Sequence, residues 1–249
     1  YQIIKSKLKN TNKDKVCGFV GDLVSMEAGF IFKEFFERTL DTEKYDSRSS
    51  QTFIDNSSRE NYLFNSTING VEDADLILII GANPRFEATM VNARIRKAYL
   101  NNNTKIISLN DVGDLTYPYK FLDGQIKTLV EIFKNQNDIS KEIINSKKPL
   151  IILGESFFMS KSSNFVFNLI KKYLTENNKI SEQWNPLNRI STDASTVGSF
   201  DLNIISDNNN IFDDLNNHCF DVLYLLGQDS LNFKKENEFI IYQGSHGDK

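Results

Sequence analysis

Residues 81–87 carry the pattern in this sequence that most suggests chemistry, Gly-Ala-Asn-Pro-Arg-Phe-Glu, directly after the apolar run of residues 76–80. Asn83 can cap a helix, and Pro84 can take its first position, where a missing N–H costs nothing. A strand that ends in glycine and leads into a helix N-terminus offers N–H groups and a positive dipole to an anion such as phosphate. The same residues fit a well-capped helix, because the sequence has neither a Gly-x-Gly-x-x-Gly nor a Gly-Lys-Ser/Thr motif. These residues alone leave both interpretations open.

The other reactive side chains form no catalytic constellation. Cys17 lies inside an apolar strand and Cys219 just before one, where cysteine behaves as a small hydrophobe, and two thiols fall short of the four that an iron–sulfur cluster typically takes. His218 and His246 are too few and too far apart in sequence to indicate a metal site. No serine lies in a Gly-x-Ser-x-Gly motif, so a hydrolase has no support. We therefore predict no metal centre and no catalytic residue.

Arg85, Arg94 and Arg96 are the cations that could meet an acidic partner, since they lie on the helix expected after Pro84. Arginine pairs bidentately with a carboxylate where lysine cannot, which favours these three residues for charged contacts at an internal or subunit interface. A charge run of this length, which Lys97 extends, is also typical of a solvated face. Both interpretations stay open for each arginine.

The elements that would position these residues alternate between short apolar runs and helical patterns, as in βαβ units that build a parallel sheet. The run at residues 75–80 shows no alternation and predicts a central strand buried on both faces. The apolar spacing after it predicts a helix over residues 85–100. The other predicted strands are residues 16–21, 105–109, 149–154, 221–227 and 239–242, and the other predicted helices are residues 25–40, 124–133, 138–144 and 162–174. The predicted fold is therefore α/β, with mainly parallel sheets and helices on both faces.

Three of the predicted strands run into a glycine, namely Gly81, Gly154 and Gly227. The carboxyl ends of parallel strands line the crevice where α/β proteins bind ligands, and glycine there lets backbone or ligand approach closely. The same glycines also turn the chain sharply, and this architectural interpretation is favoured.

Composition and length bound the remaining possibilities. The chain has 249 residues, and its 29 Lys and Arg against 33 Asp and Glu give a formal net charge of −4, so the cation excess that holds a nucleic acid is missing. A spanning helix takes about 20 consecutive apolar residues, and the apolar runs here have the length of strands, so we expect no direct membrane insertion. The chain begins at Tyr1 without a signal-peptide pattern, which predicts a processed or truncated start.

Several segments match one protein family, and they do so in the same order. They are residues 70–75, 81–88, 92–97, 114–117, 148–149 with 153–154, 184–185 with 189–190, and 240–244 with 246–248. The most specific pair is residues 81–88 and 92–97, and the matches extend over nearly the whole chain, from about Gly18 to Asp248. In these residues the chain resembles the largest iron–sulfur subunit of respiratory complex I, the 75 kDa subunit.

The resemblance implies the carboxyl-terminal region of that subunit, which is similar in fold to molybdopterin oxidoreductases. It implies a first α/β segment at residues 1–146 and a second at residues 147–249. The implied function is structural support of the electron-transfer arm of NADH:ubiquinone oxidoreductase, with the iron–sulfur clusters in a missing amino-terminal region or a separate chain. The implied partners are other peripheral-arm subunits, including the cluster-bearing region. The implied location is the matrix side of the mitochondrial inner membrane, or the cytoplasmic side in a prokaryote.

The related molybdenum enzymes also suggest an alternative. In them the Gly-x-Asn-Pro strand end contributes to the pterin pocket, and an upstream Cys, selenocysteine or Ser ligates the metal. Because the closer resemblance is to the complex I branch, we expect a vestigial site near Gly81, Asn83 and Pro84, and no cofactor in this chain. The alternative is a pterin-cofactor-binding domain of a molybdopterin oxidoreductase such as a formate dehydrogenase. The comparable stretch, residues 45–65, lacks Cys but contains the possible serine ligands Ser47, Ser49, Ser50, Ser57 and Ser58.

Overall fold

The computed structural model describes residues 1–206 and 211–245. The chain divides into two units: unit 1 comprises Tyr1–Gln51 and Asp193–Lys249, and unit 2 comprises Thr52–Thr192. The boundary expected between residues 146 and 147 falls inside unit 2, because strands from both sides of it pair in one sheet. Unit 1 is discontinuous because strands from both parts of the chain join its sheet.

Two parallel sheets contain the strands of the described residues. The sheet of unit 1 has the order β2-β1-β8-β9, and the sheet of unit 2 has the order β5-β4-β3-β6-β7. All pairings between these strands are parallel. Their bounds are β1 Val16–Val20, β2 Tyr45–Asp46, β3 Leu76–Ile80, β4 Lys105–Ser108, β5 Lys120–Phe121, β6 Pro149–Leu153, β7 Leu187–Arg189, β8 Val222–Leu226 and β9 Phe239–Gln243.

Helices connect most of these strands. Their bounds are α1 Gln2–Asn10, α2 Met26–Glu34, α3 Pro84–Glu87, α4 Thr89–Asn102, α5 Ile126–Phe133, α6 Asp138–Asn145, α7 Glu155–Phe158, α8 Ser163–Glu176, α9 Thr196–Asp201 and α10 Ile211–Asn216. A π-helical turn, Phe35–Leu40, extends α2 to the end of the predicted helix. None of the helices within residues 1–206 and 211–245 combines the length and the apolar character that crossing a membrane requires.

The core of unit 2 explains why β3 is a continuous apolar run. Every residue of Leu76–Ile80 is buried, and alternate side chains enter two different clusters. Leu78 packs with residues of α5 and α8 on one face, while Ile79 packs with residues of α4 on the other. A strand covered by helices on both faces has no polar side, which is why its sequence does not alternate. The predicted α/β fold is confirmed.

The core of unit 1 is also split by its sheet. Phe19 of β1 packs with Phe212 and Leu215 of α10 on one face. Val20 packs with Phe32 and Phe36, of α2 and its π-helical extension, on the other face. The same alternation of β1 side chains therefore produces a second three-layer arrangement.

One predicted helix differs from the structure. The helix expected over residues 85–100 is divided into α3 and α4 at Ala88, which has φ −150° and ψ 66°. The helical hydrogen bonds pass this point, since Ala88 donates to Pro84 and accepts from Asn92. No Gly or Pro marks the break, so the apolar spacing that predicts the helix could not reveal it.

Candidate functional site

The candidate site lies at the carboxyl edge of the sheet in unit 2. From β3 the chain builds outward to β4 and β5 on one side and to β6 and β7 on the other. The order of the strands therefore reverses between β3 and β6, and ligands of open α/β sheets bind at such a switch point. Two of the glycines noted in the sequence, Gly81 after β3 and Gly154 after β6, lie there.

The two glycines bring the backbones of these loops into direct contact. Gly81 has φ +64°, a conformation that residues with a Cβ rarely adopt. A Cβ at Gly154 would clash with the carbonyl oxygen of Gly81 and with Ala82. Ser156 adds a hydrogen bond across the gap, from its hydroxyl to the Gly81 carbonyl oxygen at 2.6 Å. The loops after β3 and β6 therefore lie directly against each other at Gly81 and Gly154.

Asn83 and Pro84 begin α3 as the sequence predicts. The Asn83 Oδ1 accepts a hydrogen bond from the Arg85 N–H at 3.2 Å, and Pro84 is the first helical residue. The Glu87 carboxylate folds back and accepts the Asn83 N–H at 2.8 Å. This carboxylate lies at the positive end of a helix that is only four residues long, where a bound anion would otherwise be stabilised. Glu87 itself therefore supplies the negative charge at the N-terminus of α3.

Side chains of α3 and α4 also hold the loop that follows β4. The Asn83 Nδ2 donates to the Val112 carbonyl oxygen at 3.1 Å. The Arg85 guanidinium donates to the Asp114 carbonyl oxygen at 2.6 Å and to its carboxylate at 2.7 Å. The Thr116 N–H and this guanidinium together hold the pKa of the Asp114 carboxyl below its ordinary value. Asn83 and Arg85 thus serve both the helix start and the neighbouring loop.

Asn92 makes further hydrogen bonds to the same loop, in the interior of unit 2. Its Nδ2 donates to the Leu115 carbonyl oxygen at 3.1 Å, and its Oδ1 accepts from the Tyr117 hydroxyl at 2.7 Å. Asn92 and Tyr117 are buried, and burial raises the pKa of the Tyr117 phenol well above its ordinary value. Three matching segments are therefore joined by hydrogen bonds, since residues 81–88 and residues 92–97 both bond to residues 114–117.

The acidic residues of segment 70–75 have structural partners as well. Asp73 pairs with Lys148 at 2.9 Å. Asp75 accepts hydrogen bonds from the Ser146 hydroxyl, from the Lys147 N–H at 2.7 Å and from the Lys148 N–H at 3.0 Å. Burial raises the pKa of Asp75, but these donors outweigh burial and leave it below its ordinary value. This carboxylate ties the start of β3 to the start of β6.

The three arginines predicted for an interface differ in their surroundings. Arg85 is paired with Asp114, and Arg94 contacts Glu72, a carboxylate that also binds Lys97 at 2.9 Å. Arg96 is exposed and forms no ion pair with a residue in the part of the chain that the structure describes. Among the described residues, internal ion pairs therefore occupy the guanidinium groups of Arg85 and Arg94 but leave that of Arg96 available. An interface role stays a prediction for all of them.

Sequence reasoning missed a buried cation beside the switch point. Arg189, the last residue of β7, pairs with Glu155 at 3.1 Å. Its guanidinium carbon lies 4.0 Å from the centre of the Phe158 ring. Only the family match at residues 189–190 pointed to this arginine, because the strand Leu187–Arg189 is not an apolar run. A buried guanidinium needs groups such as a carboxylate and an aromatic face to compensate for its lost hydration.

Unit 1 has a switch point of its own, between β1 and β8. A Cβ at Gly21 would clash with the carbonyl oxygen of Gly227, which itself has φ +56°. The buried Gln228 donates through Nε2 to the Val20 carbonyl oxygen at 3.2 Å. The Ser195 hydroxyl donates to the Gly21 carbonyl oxygen at 3.1 Å. Paired glycines therefore bring the loops after β1 and β8 into contact in unit 1, as they do for the loops after β3 and β6 in unit 2.

Both thiols and the described histidine, His218, belong to unit 1, whereas the candidate site belongs to unit 2. Cys17 is buried in β1, and this burial raises the pKa of its thiol well above the ordinary value. His218 contacts Glu238 at 2.6 Å in unit 1, while His246 lies outside the described residues. Within residues 1–206 and 211–245, no three His, Cys, Asp or Glu side chains are grouped so that they could hold a metal ion.

Comparisons with known proteins place this geometry in a family. The molybdopterin oxidoreductase family matches residues 1–249. The chain is 32% identical to the NADH-ubiquinone oxidoreductase 75 kDa subunit of Reclinomonas americana, over 99% of this chain and 38% of that subunit. It is 33% identical to a subunit of the NADH-quinone oxidoreductase of Rickettsia bellii, over 98% of this chain and 35% of that relative. The mitochondrial 78 kDa subunit of Candida albicans is 37% identical over 76% of this chain and 26% of its own length.

The chain thus spans little more than a third of the relatives that it matches over nearly all of its own length. The resemblance to the 75 kDa subunit is confirmed, because the relative with this name from Reclinomonas americana and the one from Rickettsia bellii match almost every residue of this chain. The two parallel sheets with helices on both faces agree with the family match. The chain belongs to the molybdopterin oxidoreductase family.

Proposed function

We propose that this chain is a structural, non-cluster-bearing region of the large iron–sulfur subunit of an NADH:quinone oxidoreductase. It supports the electron-transfer arm through packing and carries neither electrons nor a pterin cofactor. The observation that carries this proposal is the Glu87 carboxylate on the Asn83 N–H at the strand end that forms part of the pterin pocket in the related molybdenum enzymes. A pterin dinucleotide brings phosphates, and a carboxylate in that position repels them.

The closed backbone at the switch point supports the same proposal. The contact between Gly81 and Gly154, together with the Ser156 hydrogen bond, leaves no room for a ligand atom between the backbones of these two strand ends. Asn83 and Arg85 direct their polar groups to the Val112 and Asp114 loop. The residues present at this edge therefore satisfy each other and do not fit a pterin cofactor.

The partners and location follow as part of the proposal. The relatives are subunits of NADH-ubiquinone or NADH-quinone oxidoreductases from mitochondria or bacteria. We place the chain among the peripheral-arm subunits of such a complex, next to the region that holds the clusters. This arm lies on the matrix side of the inner membrane, or on the cytoplasmic side in a bacterium.

Metal analysis of the purified native assembly tests the absence of a cofactor. The proposal predicts cluster iron without stoichiometric molybdenum or tungsten, and no pterin after acid extraction. Stoichiometric molybdenum or tungsten with pterin would contradict it. The analysis is made on the whole complex, because a cofactor shared with another chain could be lost from an isolated subunit.

One observation favours the alternative, a pterin-binding domain of a molybdopterin oxidoreductase. The Ser47 hydroxyl oxygen, one residue after β2, is buried and has no hydrogen-bond partner among the described residues. A buried polar oxygen without a partner is costly, and a metal ligand would be one explanation. If molybdenum is found, Ser47→Ala should remove it, whereas Ser57→Ala, at a serine bonded to Asp55, should not.

A further inference from the structure

Three large apolar side chains are exposed on the side of α3 and α4 that points away from the sheet. Phe86, Met90 and Leu100 expose 79%, 64% and 65% of their surface. The opposite side of α4 packs Val91 and Ile95 into the core of unit 2. Exposed apolar groups that cluster in this way mark interaction surfaces more often than isolated ones do. The exposed surface, here called the α4 face, consists of Phe86, Met90, Ala93, Arg96, Lys97 and Leu100.

The spacing along the α4 face is that of a helix–helix seam. On α4 itself, Met90, Ala93, Lys97 and Leu100 follow one another at intervals of three, four and three residues, while Phe86 lies on α3, before the break at Ala88. This is the heptad spacing that keeps one stripe of a helix facing a partner helix. The small Ala93 at the centre leaves room for a side chain of that partner between its larger neighbours.

The charges of the α4 face define the chemistry of the partner. Residues 84–102 contain four cations and a single carboxylate, Glu87, although the whole chain has a net charge of −4. Glu87 is occupied by the Asn83 N–H. Lys97 shares Glu72 with Arg94, and Arg96 has no ion-pair partner in the described part of the chain. A complementary surface is therefore acidic at its rim.

We propose that the α4 face binds an amphipathic helix of another subunit. The apolar side of that helix packs on Phe86, Met90 and Leu100, and its Asp or Glu residues pair with Arg96 and Lys97. Arg96 is suited to a bidentate contact with a carboxylate, which the planar guanidinium favours. The inference rests on the proposed function only in assigning the partner to the same assembly.

Zero-length carbodiimide cross-linking of the purified assembly tests the contact. The reagent joins an amine to a carboxylate that touches it, and Lys97 should be joined to an Asp or Glu of a stoichiometric subunit, within a segment with apolar residues at helical spacing. The internal pair of Lys97 and Glu72, 2.9 Å apart, serves as the positive control. Recovery of the internal product alone would overturn the proposal.

Charge variants give a second, independent measurement. Met90→Glu and Arg96→Glu place negative charge against an acidic partner, so each should lower the amount of assembled complex severalfold. Arg96→Lys should lose less assembly than Arg96→Glu does, since it keeps the charge but not the bidentate contact. Phe165→Glu on α8 is the matched control, because Phe165 is exposed to 58% and lies outside the α4 face, and it should leave assembly unchanged.

The outcomes separate this inference from the proposed function. If Met90→Glu and Arg96→Glu assemble as well as Phe165→Glu does, the α4 face is no docking site, even when removal of the chain still abolishes assembly. If removal of the chain leaves assembly intact, the proposed function fails, whereas the cross-link from Lys97 still decides the docking site. Loss of soluble chain in the Met90→Glu variant alone would leave Arg96→Glu and its Lys rescue as the deciding pair.

Discussion

The two switch points of this molecule share a backbone arrangement but differ in their side chains. In unit 1, Gly21 meets Gly227, and in unit 2, Gly154 meets Gly81. Around the first pair the neutral side chains of Gln228 and Ser195 complete the hydrogen bonds. Around the second pair lies a set of charged and amide residues, which comprises Asn83, Arg85, Glu87, Asp114, Glu155 and Arg189.

This difference distinguishes what the fold itself requires from what we interpret as the remains of a binding site. The glycine contact occurs at both switch points, so it requires no ligand and reflects how closely the loops must pass. The polar set described above belongs to unit 2, at the strand end where our proposed function puts a vestigial pterin site. There its groups bond to each other, as in the clamp of Arg85 on Asp114. We interpret the set as a binding site whose polar residues now stabilise the fold.

The largest expected effect tests whether β3 is the buried strand from which the switch point of unit 2 is built. Leu78→Asp places a carboxylate in a position that is fully buried between two helical layers, and we expect it to prevent stable folding. The recovery of soluble protein measures this effect, with Phe165→Asp on the exposed side of α8 as the control. Normal recovery of Leu78→Asp would show that the assignment of β3 is wrong.

A pair of glycine substitutions tests whether the two switch points are closed in the same way. Gly21→Ala and Gly154→Ala each drive a Cβ into a carbonyl oxygen, and each should lower the free energy of unfolding by about 3 kcal/mol. Gly113→Ala is the control. Gly113 has φ +74° and open space around it, so only the backbone cost of about 1 kcal/mol remains.

Denaturant unfolding of the three variants gives the comparison. Similar large losses for Gly21→Ala and Gly154→Ala support equivalent closure in the two units. A loss at Gly154 no larger than that at Gly113 would mean that the loops after β3 and β6 can separate, which would reopen the crevice for a ligand.

A smaller effect tests whether Asn83 is a structural cap. Asn83→Ala should lower the free energy of unfolding by about 1 kcal/mol, the usual loss of an N-cap. It should leave electron transfer per assembled complex unchanged. Asn137→Ala is the matched control, since Asn137 caps α6 through the Ile139 N–H at 3.0 Å, away from the site. A large loss of turnover with Asn83→Ala alone, at full assembly, would indicate a chemical role.

The smallest expected effect is a pH dependence that belongs to unit 1. The His218 side chain, then the Glu236 N–H, lowers the pKa of Glu238 from its ordinary value of 4.5 to about 2. A carboxyl whose pKa is lower in the folded state stabilises that state above pH 4.5, and this contribution is lost as the pH falls to about 2. Glu238→Gln should therefore flatten the acid side of the Tm profile. An unchanged profile would contradict the pairing.

The strands were largely predictable because their signal is local. Residues 75–80 are a continuous apolar run that only a strand covered on both faces explains, and β3 lies at Leu76–Ile80. The short strands β2, β5 and β7 were not predicted, since two or three residues are too few to show a period. The discontinuity of unit 1 was not predictable either, because the pairing of β1 with β8 joins residues about 200 positions apart and leaves no mark in local spacing.

The candidate site was predictable only in part. The sequence predicts Asn83 and Pro84 as a cap and a helix start, since both roles depend on neighbouring residues alone. It does not reveal that Glu87 would return to Asn83, or that Arg85 would pair with Asp114. The buried Arg189 was also missed, because its compensation by Glu155 and Phe158 arises only when β6 and β7 are paired.

The central claim is that this chain acts through assembly and performs no chemistry. The most direct test is stepwise depletion of the chain, in which the amount of assembled NADH:quinone oxidoreductase and the NADH oxidation rate per assembled complex are measured together. The account predicts that the amount falls in proportion to the chain while the rate per assembled complex stays constant. A normal amount of fully assembled complex with a reduced rate would contradict it.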